Sequence, residues 1–171
     1  MRIGIDHYAK PQDALAKAAV TGALRRNFQG YTDDPAPVLV PIGPSSIGCF
    51  REGFVQNAVG TDVWRTAIHE GRLPLARKLP VSAEDRVRAA VIERLMCDLT
   101  VDVAAVCVAN GYPSHFLDGC IETARELEAD GLCVVLGRRV TVPEDNRRLV
   151  RVTAACFDAR LPETQRHSKA V

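Results

Sequence analysis

Residues 25–50 read RRNFQGYTDDPAPVLVPIGPSSIGCF. The stretch joins a clustered NFQGY, an apolar run broken by prolines and a Gly-Pro-Ser-Ser-Ile turn, and it carries no helical period. Such a sequence suits a backbone that must run close to something else. The expectation is one wall of a ligand site, built from a loop over 32–37, a short strand over 38–42 and a turn over 43–48. Pro41 argues against a central, fully paired position for that strand, because proline donates nothing to a ladder.

Working outward toward the N-terminus, residues 1–5 alternate weakly and read as a strand entered partway through a larger fold. Asp6, His7 and Tyr8 follow where that strand would end. Pro11 suits a first helical turn, and Leu15, Ala19 and Ala23, four apart, predict a helix over 13–24. Toward the C-terminus, Thr61 is placed to cap a helix carrying Val63, Trp64, Ala67 and Ile68, which Gly71 ends. RLPLARKLP at 72–80 reads as a loop, and a modest domain boundary is expected near 73–82. Ser82 with Asp85 resembles a capping box. The helix behind it aligns Val87, Val91 and Leu95 on one stripe, flanked by Ile92 and Met96.

From Thr100 the rhythm changes. Thr100 is placed to cap a helix over 101–109, and Ser114 another with Phe116, Cys120, Ala124 and Leu127 inward. Strands are expected over 132–136 and 139–142. Thr141 with Glu144 repeats the capping pattern. A last helix with Leu149, Val152, Ala155 and Cys156 runs to about residue 161, and the polar tail 162–171 reads as loosely held. The class is therefore α+β, and helices followed by a hairpin and a final helix suggest a winged-helix-like module.

The 171 residues suffice for one ordinary domain with a real core. A net charge of +1 gives no general reason to expect nucleic acid or an anionic membrane as partner. Aromatics are 5%, so the core must rest on Ala, Val, Leu and Ile. The longest apolar run is far short of a bilayer span, and MRIGIDHYAK has no signal-peptide core; a soluble, cytoplasmic chain is expected. The six cysteines, Cys49, Cys97, Cys107, Cys120, Cys133 and Cys156, include no pair within three residues. They read as small buried hydrophobes, with no metal-ligand spacing among them.

Several residues could carry chemistry. Only one of Asp6 and His7 can face a given pocket, since adjacent strand residues point to opposite faces; the alternative is a strand-end hydrogen bond to the backbone. Gln29 both donates and accepts, which suits an amino-acid or nucleoside ligand, and Gly30 beside it permits close approach. The alternative there is a loop plug of Phe28 and Tyr31. In Gly43-Pro44-Ser45-Ser46-Ile47-Gly48, small residues surround one apolar side chain that could pack on a ligand ring. The Gly-Lys-Ser/Thr of a phosphate loop is absent, and the second glycine of a nucleophile elbow is displaced. The alternative is a tight structural turn. Arg138, Arg139, Arg147, Arg148 and Arg151 form the only basic cluster. Glu144, Asp145 and Asp158 dilute it and no aromatics interleave it, so a solvated face is favoured over a nucleic-acid interface.

Taken in order, IGIDHYAKPQDAL, RRNFQGYT, GPSSIG, VQN, EDRVRAAVIERLMCDL, DGL and RRLVRVTAACFD resemble one family. Across nearly the whole chain the sequence is similar to the C-terminal part of oxygen-independent coproporphyrinogen III oxidase (coproporphyrinogen dehydrogenase), a radical S-adenosylmethionine enzyme of haem biosynthesis. RNFQGYT is the most specific piece.

The resemblance implies a four-iron cluster that reduces S-adenosylmethionine. The radical so formed takes hydrogen from propionate side chains of coproporphyrinogen III, giving vinyl groups and carbon dioxide. It implies that residues 1–75 are the last strand and following loops of a barrel-like core. Residues 76–171 are then a mostly helical domain with a β-hairpin that covers the substrate. It assigns Ile47 and Gln29 to S-adenosylmethionine and leaves Asp6 and His7 as a strand-end pair toward substrate, with no catalytic or metal-ligating residue in this chain.

Tyr8, Lys78, Asn146 and Arg160 depart from the family pattern. The family's Cys-x-x-x-Cys-x-x-Cys is not among these residues, and an iron–sulfur cluster needs closely spaced thiolates. The expectation is a chain inactive alone, whose partners are coproporphyrinogen III and the N-terminal core. The alternative is a non-catalytic module that binds porphyrinogen or a protein partner.

Overall fold

The computed structural model describes residues 1–161; the tail expected to be loosely held lies outside them. The chain divides into two compact units, one of Met1–Asp33 with the chain from Glu84 on, the other Asp34–Ala83. This grouping by contact differs from a division at 75/76, which concerns descent from a larger fold. One border lies close to the expected boundary near 73–82.

In the larger unit, β1 (Arg2–Ile3) and β2 (His7–Tyr8) form an antiparallel hairpin, pairing Arg2 with Tyr8 and Ile3 with His7. Of the strand expected over 1–5, only residues 2–3 are extended, and residues 4–5 belong to the turn of a tight ribbon. Helix α1 (Ala14–Thr21) starts at Asp13, whose carboxylate accepts from Leu15 N at 2.8 Å, and closes on Gly22. The NFQGY segment, irregular in sequence, folds as β3 (Arg25–Asn27) and β4 (Gly30–Thr32) joined at Phe28-Gln29. Asn27 Oδ1 accepts from Gln29 N at 2.8 Å, the local side-chain bond that lets asparagine replace a backbone turn contact.

The smaller unit is a sheet of order β5–β6–β7, comprising β5 (Ile47–Phe50), β6 (Gly53–Asn57) and β7 (Leu75–Pro80), with α2 (Thr61–His69) between the last two strands. The strand expected over 38–42 shrinks to one bridge, Leu39 to Cys49, because Pro37 and Pro41 deny it further donors. The turn expected over 43–48 ends sooner, since Ile47 and Gly48 already belong to β5. The supposed loop 72–80 contains β7, every residue of which is exposed, so no period of two could mark it. Gly53 sits at φ +149°, and a Cβ there would overlap the Leu79 carbonyl oxygen; glycine lets β6 and β7 close. Thr61 is the first helical residue of α2, and Gly60 occupies the cap without a side-chain bond.

The main core returns to the larger unit. Helix α3 (Ala83–Asp98) buries Val87, Val91 and Leu95 completely, as their spacing required. Next come β8 (Thr100–Asp102), α4 (Val103–Ala109), α5 (Asp118–Ala129), β9 (Val134–Leu136) and β10 (Arg139–Thr141), in a sheet of order β8–β10–β9. Thr100 is therefore a strand residue. Asp102 caps α4, accepting from Ala105 N at 3.0 Å, and α5 begins after a turn, four residues beyond Ser114. A 3-10 turn (Glu144–Leu149) leads into α6 (Val150–Ala155), which stops before the expected residue 161. Val103, Cys107, Ile121, Val140, Val150 and Phe157 complete the core around α3.

A smaller cluster of Ala18, Leu24 and Cys97 fastens α1 to α3. Arg94 reinforces it, donating to Leu24 O at 2.7 Å and Gly22 O at 3.0 Å while paired with Asp98 at 2.9 Å. Burial pushes the Cys97 thiol up to about 12. The reactive thiolate is correspondingly scarce there at neutral pH. Iodoacetamide under native conditions is expected to label the partly exposed Cys49, Cys120 and Cys156 first and the buried Cys97, Cys107 and Cys133 last, read by peptide mass spectrometry. Labelling of Cys97 at the rate of Cys120 would show that the α1–α3 contact opens readily.

Candidate functional site

The β1–β2 and β3–β4 hairpins meet over a half-open pocket of about 190 Å³, with α6 contributing Arg151. Asp6, His7, Arg26, Asn27, Gln29 and Tyr31 line it. Three residues singled out in the sequence, Asp6, His7 and Gln29, thus come together within one unit.

Tyr31 organises the pocket. Its hydroxyl accepts from Ile5 N at 3.1 Å and donates to Met96 O at 3.1 Å, tying the first hairpin to α3 through the second. Its ring meets His7 edge-on at 5.2 Å and carries the Arg26 guanidinium 5.8 Å above its centre. Burial pushes its phenol above the ordinary value, so it stays a neutral donor. Arg147 holds the β1–β2 turn from the other side, donating to Gly4 O at 2.8 Å while paired with Glu144. Asp6 and His7 face each other, Oδ1 to Nδ1 at 2.8 Å, so both reach the rim. A tight turn allows this where an extended strand would have separated them.

Gln29 stands exposed on the turn with only its backbone N–H engaged among the described residues. The loop-plug alternative holds for half of its pair: Tyr31 anchors, whereas Phe28 is 53% exposed. Ile47 lies in the other unit, part-buried on β5 opposite Gln56. The turn before it is held by the buried Asn57, whose Nδ2 donates toward Gly43 O at 3.0 Å, Ser46 Oγ at 3.2 Å and Pro41 O at 3.3 Å. That buried asparagine was not singled out. A polar residue ending an apolar strand, opposite a Gly-Pro-Ser-Ser turn, was the available signal.

Much of the basic cluster is neutralised. Arg138 grips Asp118 with two bonds of 2.7 Å and holds that carboxyl below its usual range. Arg139 meets Asp102 at 3.1 Å, and Arg147 meets Glu144 at 2.6 Å. Arg148 and Arg151 carry no such pair among the described residues. No helix among the described residues is long and apolar enough to cross a membrane.

Among the described residues no three His, Cys, Asp or Glu side chains are grouped to hold an ion, and the cysteines are dispersed. An iron–sulfur cluster does not fit the residues present.

No family model matches the chain. It is 40% identical over its whole length to an oxygen-independent coproporphyrinogen III oxidase of Bradyrhizobium diazoefficiens, and spans 38% of that relative. It is 40% identical over 99% of its length to anaerobic coproporphyrinogen III oxidase 1 of Cereibacter sphaeroides, spanning 37% of it. The solved structure of coproporphyrinogen III oxidase (HemN) from Escherichia coli, described as a radical SAM enzyme, superposes with a TM-score of 0.85 at 30% identity. That match covers 93% of this chain and 37% of the other. In sequence and in fold, the chain is a homologue of the C-terminal part of the oxygen-independent coproporphyrinogen III oxidases.

Proposed function

We propose that these 171 residues form the ligand-covering part of an oxygen-independent coproporphyrinogen III oxidase, acting in the oxidative decarboxylation of coproporphyrinogen III to protoporphyrinogen IX. The observation that supports this most is a likeness running the full chain while spanning little more than a third of relatives named for that activity. Residues 1–75 then correspond to the end of a barrel-like core, and 76 onward to a helical domain with a winged-helix-like hairpin. Strands predominate up to Pro80 and helices after it, a change that falls near that division.

S-adenosylmethionine fits these residues in part. Each offers contacts within its own unit: Gln29 a carboxamide uncommitted among the described residues, and Ile47 an apolar side chain on β5. When bound with a reduced cluster, it supplies the hydrogen-abstracting radical. This chain binds and shields; its Asp6–His7 pair and Gln29 orient what enters the pocket, and no proton or radical step originates on its side chains.

The 171-residue chain, purified anaerobically with iron, sulfide and S-adenosylmethionine, is therefore expected to show neither a cluster absorbance band nor turnover. Adding the N-terminal polypeptide of the Bradyrhizobium relative is expected to restore coproporphyrinogen oxidation. A cluster band with turnover from the chain alone, or no restoration by the supplement, would overturn the proposal.

The exposed apolar side chains of the smaller unit, Ile42 at 87%, Leu73 at 78% and Val40 at 63%, favour one alternative, a non-catalytic module that docks a protein partner. A stable complex with the supplementing polypeptide that gains no activity would support it.

A further inference from the structure

We propose that the pocket between the two hairpins is a carboxylate subsite, in which Arg26 and Arg151 clamp a ligand carboxylate and the Gln29 carboxamide completes its hydrogen bonds. Both guanidiniums line the cavity. Neither makes an ion pair among the described residues, whereas Arg25 pairs with Glu93, Arg94 with Asp98 and Arg147 with Glu144. Among the described residues the only acid on the lining is Asp6, and it is engaged by His7. Among the described residues the cavity therefore keeps two cations without an ion pair of their own.

Arg26 is also preorganised, resting on a Tyr31 ring that is itself fixed at both ends. Holding a guanidinium by its face while leaving its edge to a ligand reduces the entropy lost when a carboxylate binds. At about 190 Å³ the pocket is smaller than sites that enclose a whole ligand, roughly 300–1,000 Å³. It matches an arm of a larger molecule. Two arms present the same chemistry: a propionate of the tetrapyrrole and the amino-acid end of S-adenosylmethionine. The choice of these two sources rests on the function proposed above; the charge of the subsite does not.

The test titrates the 15N-labelled 171-residue chain in amide NMR with four probes. These are coproporphyrin III, its tetramethyl ester, S-adenosylmethionine and its decarboxylated analogue. Shifts confined to residues 26–31 and 151 are expected with one or both free acids, and none with the matching neutral or decarboxylated form. The pair that responds identifies the source. R26Q and R151Q are each expected to weaken that binding by about tenfold, with R26K intermediate because an ammonium cannot reproduce the fork. Unchanged amide positions elsewhere show that the variants remain folded.

The subsite is refuted if the ester or decarboxylated form binds as tightly as its acid, if R26Q and R151Q bind like wild type, or if no probe shifts these amides. Restored turnover with no acid binding here would sink the subsite alone. Arginine-dependent acid binding without restored turnover would sink the oxidase role alone.

Discussion

Replacing Phe157 with alanine is expected to lower the unfolding free energy by about 3–5 kcal/mol, the usual cost of emptying an aromatic site in a closed core. Phe157 is the largest fully buried side chain among the described residues, just beyond α6 in the cluster centred on α3. Collapse onto the void is hindered because its own backbone is held: Arg88 donates to Phe157 O at 3.4 Å while bonded to Glu84 and to Cys120 Sγ. Domains are stable by only about 5–15 kcal/mol, so the midpoint of urea unfolding, followed by far-UV circular dichroism, should fall steeply. Ile42→Ser, at a side chain 87% exposed, serves as the comparison and is expected within about 0.5 kcal/mol of wild type. A Phe157→Ala cost below about 1 kcal/mol would mean that the core around α3 is loosely packed.

The part of the fold held by that core was the part most legible in the sequence. Val87, Val91 and Leu95 recur at the helical spacing because each must meet the same interior, so burial wrote itself into the pattern. Asp13, Asp102 and Asn27 act locally, through bonds to backbone two or three residues away. Even so, Thr100 competed successfully on paper for the cap that Asp102 fills, because both residue types suit the position. Strand β7 was illegible for the opposite reason. None of its side chains is buried, and it pairs through backbone that every residue shares. In β3 and β4 the turn is set by one asparagine bond and the hairpin is anchored through Tyr31 to Ile5 and Met96, contacts distant in sequence that no local pattern declares.

The site divides along the same line. Asp6 and His7 were visible as a strand-end pair and Gln29 as a polar residue in an irregular segment, and the hairpins bring them to one cavity. Arg151 was seen only as a member of a basic run, because nothing local tells a helix residue that it will face a turn from the far end of the chain. Arg26 was hidden in the same way, beside an Arg25 that is consumed by Glu93. Ile47 shows the limit of a motif: the resemblance marks it, yet within its own unit it lines neither the apolar hollow formed by Phe50, Phe54 and Leu79 nor any polar pocket described above.

Gly4→Ala is expected to dismantle the candidate pocket while leaving the main core standing. Gly4 occupies the β1–β2 turn at φ +54°, and a Cβ there would overlap the Tyr31 ring. The ring cannot simply swing away, because its hydroxyl is bonded both to Ile5 N and to Met96 O. Either the hairpin lifts or the tyrosine leaves, and both outcomes unseat Arg26 and the Asp6–His7 pair from their present places. Gly22→Ala separates the two causes of damage. Gly22 has a similar φ of +70° but open space where a Cβ would go. It should therefore cost only the conformational penalty of about 1 kcal/mol. Gly4→Ala adds the broken Tyr31 bonds, for a total of about 2–4 kcal/mol. In amide exchange, Ile5 and residues 26–31 should lose protection in Gly4→Ala, whereas α4 and α5 keep theirs. Carboxylate binding should vanish in Gly4→Ala and persist in Gly22→Ala. Equal costs for the two variants, with the pocket still binding its ligand, would show that Tyr31 does not hold the hairpins together. The shape of the site would then have to come from the hairpin turns alone.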